Sequence, residues 1–393
     1  MFVYSGQESD PIVAEGLEPA AAPPTEVGGP PGGAPSSGRR RFWLLFFAAV
    51  VAFGLLGSYF FRLPYYTLSP GSIRPTANAI LSEEAPLIVP DHGVSYATVS
   101  VRGPVNIWEL GVAWLDSEVE VVDEDLVTQG RSNEETKQAN LVMMDQSKDV
   151  ALKVALSQLG RSREAGAQII ELVRDSPAAT GFLPGDVVIA VDGAEVKTST
   201  DLVEAITARK PGDRVDFDVL RQPEGRDEVP EPDHVEVVLA EDPRGERPGV
   251  AFFGVRVRSW VQVDYPYEIH IDSGSVGGPS AGLAFTLGVI DMLTEGELAG
   301  SGSVAATGTI DMGGHVGPIG ALDHKVDAAR HAGIDLFLVP ASQSEEELTL
   351  ARERAKGEVE IVPVDDVEEA LAVLAGHGGG LGDGRELAAP SGR

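Results

Sequence analysis

The spacing of apolar and polar positions changes character several times along the chain. Residues 1–38 have almost no apolar periodicity, whereas Phe42 to Phe61 is an unbroken run of twenty residues without a charge (FWLLFFAAVVAFGLLGSYFF). At about 1.5 Å rise per residue, that run covers roughly 30 Å as a helix, one crossing of bilayer hydrocarbon. Between Tyr65 and about Gly160 the signals are mixed: Ser95–Val101 alternates as a strand, Leu110–Leu115 is apolar, and Asp149–Leu159 reads as a helix. From Arg163 to Asp242 short strands dominate. Ile169–Val173 is a strand, Ser176–Ala179 a helical turn, and Leu183-Pro184-Gly185-Asp186 a tight turn into Val187–Val191. A hairpin turn at Asp192-Gly193 follows, then a capped helix over Ser199–Arg209 and the strand Val215–Leu220. In the last third, Glu268–Ile271 alternates, Pro279 opens a helix reaching about Leu293, and Leu322–Ala332 is a helix stopped by Gly333.

Composition narrows what this pattern can serve. A chain of 393 residues exceeds one typical core, so two or three domains are expected. Lys+Arg 30 against Asp+Glu 61 gives a net charge of −31, a field that repels nucleic acid. Cysteine is absent, which excludes disulfides, thiolate metal sites and a cysteine nucleophile, and suits an exported protein. The first 38 residues carry 7 Gly and 7 Pro and read as a disordered tail. Arg39-Arg40-Arg41 precedes the apolar run and the single Arg62 follows it, so the positive-inside bias leaves the tail cytoplasmic and the rest extracytoplasmic. A cleaved signal peptide competes with this anchor, but the run is longer than an h-region and lacks a small-x-small exit. The acidic stretch Asp116–Asp125 reads as a solvated face, and the seven histidines show no metal-ligand spacing.

Candidate chemistry lies in the last 130 residues or so. Ser280 stands at the start of a helix, where unpaired N–H groups favour an alkoxide or a nearby oxyanion. Gly278-Pro279-Ser280-Ala281-Gly282 also satisfies Gly-x-Ser-x-Gly, the hydrolase elbow, which would draw on a downstream histidine: His315, His324 or His331. Against that, only 113 residues follow Ser280, little room for such a sheet. A lysine is the other partner. Of seven lysines, two follow Ser280, and Lys356 lies in a very polar stretch, which leaves Lys325. At about 100° per residue Lys325 falls roughly 70° from the centre of the apolar stripe Leu322, Val326 and Ala329, while His324, Asp327 and His331 are expected to point away from the core. A lysine base must lose about three pKa units, and burial has to supply this against the acidic field of the molecule.

Two resemblances extend the reading. Residues 173–221 and the strands around them, with Asp175-Ser176-Pro177-Ala178-Ala179 and Leu183-Pro184-Gly185-Asp186, resemble a PDZ domain of the type attached to bacterial exported proteases. Such domains capture extended peptide ends by strand addition. This assigns Gly166, Ala167, Gln168 and Ile169 as candidate peptide-binding residues, although Ala165-Gly166-Ala167-Gln168 lacks the usual apolar-glycine alternation. Gly278-Pro279-Ser280-Ala281-Gly282, Thr307-Gly308, Val316–Val326 and Ala332-Gly333-Ile334, in that order, resemble the proteolytic domain of Lon proteases. The resemblance implies Ser280 as nucleophile, Lys325 as general base, Thr307 as the residue that orients the lysine, and ring-like self-association. Gly278, Pro279 and Ala281 form the candidate oxyanion region at the helix start. Two departures stand out: Gly277 replaces the acid that precedes the Lon Gly-Pro-Ser, leaving Asp272 as the nearest acid, and Lon's Thr-Gly-Glu becomes Thr307-Gly308-Thr309.

The expected molecule is an α+β multidomain protein with a single N-terminal transmembrane helix. Its parts are a disordered cytoplasmic tail (1–38), an anchor (39–64), an extracytoplasmic α+β segment (65–160), a PDZ domain (161–245), a Lon-like proteolytic domain (249–375) and a Gly-rich flexible tail (376–393). The strand character of 65–160 makes it a candidate part of a discontinuous catalytic unit with the PDZ inserted. No Gly-x-x-x-x-Gly-Lys-Ser/Thr occurs, so no ATP, and no other cofactor or metal, is expected; substrates would be unfolded or flexible polypeptides. The alternatives are a catalytically inactive, membrane-tethered PDZ scaffold and a histidine-dependent Gly-x-Ser-x-Gly hydrolase.

Overall fold

The computed structural model describes residues 37–84, 87–221, 231–242, 249–265, 268–294 and 297–381. The expected tail over residues 1–38 lies almost wholly outside these, as does most of the glycine-rich C-terminal segment. Residues 1–60 and 61–393 form two separate units. The first is described by α1 (Ser37–Phe60), in which Arg40–Phe60 has a mean hydropathy of 2.0, long and apolar enough to cross a membrane.

The second unit begins with β1 (Tyr65–Pro75), β2 (Ser95–Arg102), α2 (Ile107–Ala113), β3 (Glu120–Asp123) and α3 (Asn133–Gln158). It continues with β4 (Ser162–Leu172), β5 (Val187–Val191), α4 (Ser199–Thr207), β6 (Arg214–Leu220), β7 (Asp233–Val238) and β8 (Val255–Val263). Then come α5 (Gly282–Leu293), β9 (Val304–Ala306), α6 (Leu322–His331), β10 (Leu336–Pro340), α7 (Glu345–Ala355), β11 (Glu360–Val364) and α8 (Val367–Gly376). α3 is more than twice the length expected from Asp149–Leu159. Its opening residues 133–140 are polar and carry no core-facing signal, but Ser132 opens it with a reciprocal capping box to Glu135. The strand expected at Glu268–Ile271 shrinks to His270-Ile271.

These elements build two sheets. One has the order β11-β10-β9-β2-β1-β3, so strands from before residue 124 and from after residue 303 share it. β1 pairs antiparallel with β2 and β3, while β9 runs parallel to β2 through Ala305 beside Ser95 and Ala306 beside Tyr96. Side chains alternate across it as the pleat requires. Leu336 and Leu338 enter a core with α3, α5 and α8, whereas Phe337 and Val339 enter another with α6 and α7. Both faces are covered, which is why Leu336–Val339 reads as a continuous apolar run. The other sheet has the order β8-β4-β5-β6-β7 and its own core around Phe182, Phe217 and Phe253, the last two stacked with centroids 4.7 Å apart. β8 lies after the expected boundary at 249 yet pairs with β4.

Two burial expectations are corrected. His324 and Asp327 do not point away from the core; each is 1% exposed. The helical-wheel argument assumes one covered face, but α6 is packed by β1 and β2 on one side and by α7 on another. Asp327 accepts from Arg330 and Arg354 at 3.2 Å each, and Arg330 reaches Glu118 at 2.9 Å, so part of the acidic stretch 116–125 is an ion-pair partner rather than a solvated face. At the C-terminus residues 377–381 are packed: the Gly379 N–H donates to Leu374 O at 2.9 Å, and a side chain at Gly379 would collide with the carbonyl of Leu298.

Candidate active site

Ser280 sits in a short 3-10 turn, Pro279–Ala281, that runs into α5. Its approach is shaped by two glycines. Gly278 has φ +90°, a conformation L side chains rarely adopt, and its N–H donates to Asn140 O of α3 at 2.8 Å. A Cβ on Gly277 would come within 2.9 Å of the Asn140 Cβ and 3.2 Å of its carbonyl carbon, so α3 leaves no room for the acid found in Lon at this place. Ser147, also on α3, donates to Pro279 O at 2.9 Å.

Lys325 lies in the opening turn of α6, after Ala321 at φ +54°. Helical side chains tilt toward the N-terminus, which directs its amine back out of the helix. The Nζ donates to Ser280 Oγ at 2.7 Å and to Thr307 Oγ1 at 2.9 Å. Thr307, just after β9, donates its hydroxyl to Ser280 O at 3.0 Å, and Gly308 N donates to the same carbonyl at 2.8 Å. Three segments separated in sequence therefore meet at one amine.

Lys325 is 3% exposed, and burial lowers its pKa from 10.5 to about 7. The positive end of the α6 dipole pushes the same way. Both hydrogen-bond partners are hydroxyls rather than carboxylates, so desolvation outweighs the charge of −31 carried by the molecule. Asp272 gives no help at this point: its Oδ1 accepts from Gly274 N at 2.8 Å. A neutral amine at hydrogen-bond distance from a hydroxyl can take its proton. The pair opens on a cleft of about 800 Å³ lined by β1, β2, α3 and the loop at 275–277.

Other expected residues are placed differently. Gly278 has spent its N–H and Pro279 has none, so of the expected oxyanion region only Ala281, with Ser280 itself, offers an N–H at the first turn. The three histidines are engaged elsewhere: His315 with Asp311 at 3.2 Å, His324 with Glu120 at 3.4 Å and His331 with Glu118 at 3.3 Å. Ser280 meets a lysine instead, which removes the basis of the elbow alternative.

Gly166, Ala167, Gln168 and Ile169 lie in β4, an interior strand flanked by β8 and β5, so no edge is free there for an added strand. The end strands are β7 and β8, and β8 is the one beside α4. A groove of about 220 Å³ runs between it and α4, lined by Leu202, Val203, Ile206, Phe253, Val255 and Val257. Phe252-Phe253-Gly254-Val255 leads into β8 and holds the apolar-glycine pattern missing at 165–168. Gly254 has φ +84°, and a Cβ there would collide with Ser176. The signal was present but stood after the last strand expected for the domain.

Comparison with known proteins finds the same two kinds of domain, with bounds that differ from the sheets: β8 falls within the Lon match, and α3 within the PDZ match. Residues 255–376 match the model of the Lon protease (S16) C-terminal proteolytic domain, and residues 124–229 match that of the PDZ domain. The Lon protease of Campylobacter concisus is 32% identical over 109 residues, 27% of this chain and 13% of the relative. That of Trichlorobacter lovleyi is 35% identical over 114 residues, 28% and 14%. That of Clostridioides difficile is 38% identical over 106 residues, 26% and 13%. The chain thus spans only 13–14% of the length of these relatives. Among solved structures, the PDZ domain of the SdrC-like protein from Listeria monocytogenes is 21% identical, covering 24% of this chain and 87% of that one at a TM-score of 0.19. The chain carries a Lon-type proteolytic domain and a PDZ domain.

Proposed function

We propose that this protein is a membrane-anchored serine endopeptidase that cleaves unfolded or flexible exported polypeptides without ATP. One observation carries the reading: a buried amine, lowered to about 7, held 2.7 Å from Ser280 Oγ. In the proposed reaction Ser280 Oγ attacks a peptide carbonyl carbon while its proton passes to the neutral Lys325 Nζ. The developing oxyanion faces the N–H groups of Ser280 and Ala281. Collapse breaks the C–N bond, and the leaving amine takes the proton from the Lys325 ammonium. The Ser280 ester is then cleaved by a water that gives its proton to the same amine. Thr307 holds the Nζ in line throughout.

The apolar helix α1 supports anchoring, and the three arginines ahead of it favour a cytoplasmic N-terminus. The shared sheet of β1–β3 with β9–β11 supports a discontinuous catalytic unit with the PDZ domain inserted. Full-length protein in detergent, mixed with a reduced and unfolded test protein, is expected to cleave it equally with and without Mg-ATP. Cleavage only with nucleotide overturns the ATP-free part, and no cleavage in either case overturns the peptidase reading.

The PDZ groove is proposed to capture extended peptide ends along β8. Val203 lines it and is 51% exposed, so Val203→Glu places a charge in the groove without entering the core. We expect KM for long unfolded substrates to rise several-fold with kcat little changed, and no effect on short peptides. Equal kinetics for long substrates in both forms would remove the groove from substrate capture.

A further inference from the structure

One surface of the folded unit has no role in the chemistry above. α2 buries Ala113 but turns Ile107, Val112, its C-cap Trp114 and the following Leu115 outward, exposed by 55, 69, 87 and 84%. At about 100° per residue these positions fall on adjoining stripes and make one apolar face. The acidic side chain of the helix is turned back from it: Glu109 Oε2 accepts from the Asn106 N–H and from Arg62 Nη1, each at 2.8 Å. An uncharged face tipped by a tryptophan is uncommon on a free surface in water.

Its place along the chain says what covers it. Arg62 forms an antiparallel bridge with Asn106, the N-cap of α2. It is the second residue after Phe60, where α1 ends. The chain that leaves the apolar helix therefore enters the folded unit at the N-cap of α2. We propose that α2 and the Trp114-Leu115 tip form a second, interfacial contact with the bilayer that holds α1. The inference rests on the anchored reading. Tryptophan favours the boundary between headgroups and acyl chains, and apolar side chains of interfacial helices enter it by about 5–10 Å. With a net charge of −31 on the protein, the contact draws on burial rather than on attraction to anionic lipid, so neutral phosphatidylcholine suffices.

The absence of cysteine makes the test direct, because any cysteine introduced is the sole labelling site. Full-length Leu115→Cys, carrying an environment-sensitive fluorophore and reconstituted into phosphatidylcholine vesicles, is expected to shift to the blue. Brominated lipid should quench it several-fold more than it quenches the same label at Glu345→Cys. Ala52→Cys, in the middle of α1, reports the anchor itself. A lipid-quenched label at Ala52→Cys with an aqueous one at Leu115→Cys overturns the inference and leaves the anchor standing. An aqueous label at Ala52→Cys overturns the anchored reading and the inference with it. Disulfide-linked dimers of Leu115→Cys without lipid quenching assign the face to a second copy of the chain, which also overturns it.

Discussion

Replacing Ser280 with alanine, or Lys325 with alanine, is expected to lower the initial rate of peptide cleavage by about 10³-fold or more, with the double variant no worse than either single one. Residues that act as one unit lose nearly everything with the first deletion, so their effects do not add. Lys325→Arg is expected to be as inactive as the alanine variant. A guanidinium stays charged at any pH at which the protein folds, and so cannot accept the Ser280 proton. Thr307→Val should lose about tenfold, because it removes one hydrogen bond to the amine and leaves the Ser280 contact in place. A fluorogenic peptide assay on the five variants checks the ordering. Substantial cleavage by Lys325→Ala would end the dyad reading, and full activity in Ser280→Ala would end the peptidase reading at this site.

The second large effect trades stability against activity through pH. Below about pH 7 the Lys325 amine is protonated in the folded enzyme, so kcat/KM should fall about tenfold per pH unit there and level off above. The same shift costs stability. Unfolded, the amine titrates near 10.5; folded, near 7. Between these values the unfolded chain binds the extra proton, so stability rises with pH across the window, and below about 7 the penalty is at its full, constant size. A depression of this size corresponds to roughly 5 kcal/mol. Lys325→Met keeps the length of the side chain and removes the charge, at the loss of two hydrogen bonds of about 1 kcal/mol each. The inactive variant should therefore be the more stable by about 2–3 kcal/mol at pH 7, and should lose that advantage near pH 10. Thermal unfolding of both forms at the two pH values measures it. An advantage independent of pH would mean that burial of the charge is not what lowers the amine.

The PDZ elements were legible because their signals are local. Asp192-Gly193, Leu183-Pro184-Gly185-Asp186 and the capped helix from Ser199 dictate turns and starts within a few residues. Ser280 and Lys325 were legible through motif order, but their 2.7 Å contact is a tertiary fact that needs three segments to converge. What periodicity hid falls into two kinds. The polar residues 133–140 and the lone hydroxyl of Ser147 give no sign that α3 braces the nucleophile turn, because the bracing groups are the Asn140 backbone carbonyl and that one hydroxyl. The burial of His324 and Asp327 depends on α6 being covered on several sides, which no single-helix wheel can contain. The groove residues were misplaced for a related reason: which strand lies at an edge is set by pairing order, and β8, distant in sequence from β4, takes the edge beside it.

The braiding of one sheet from segments on either side of the PDZ domain also orders the assembly of the proposed site. As the polypeptide is made from its N-terminus, β1 and β2 emerge first and wait for β9 to dock beside Ser95 and Tyr96, while Ser280 and then Lys325 are made only after every strand of the PDZ sheet. A chain that stops short of Lys325 lacks the proposed base, so the proposed dyad stays silent until that residue has emerged and docked.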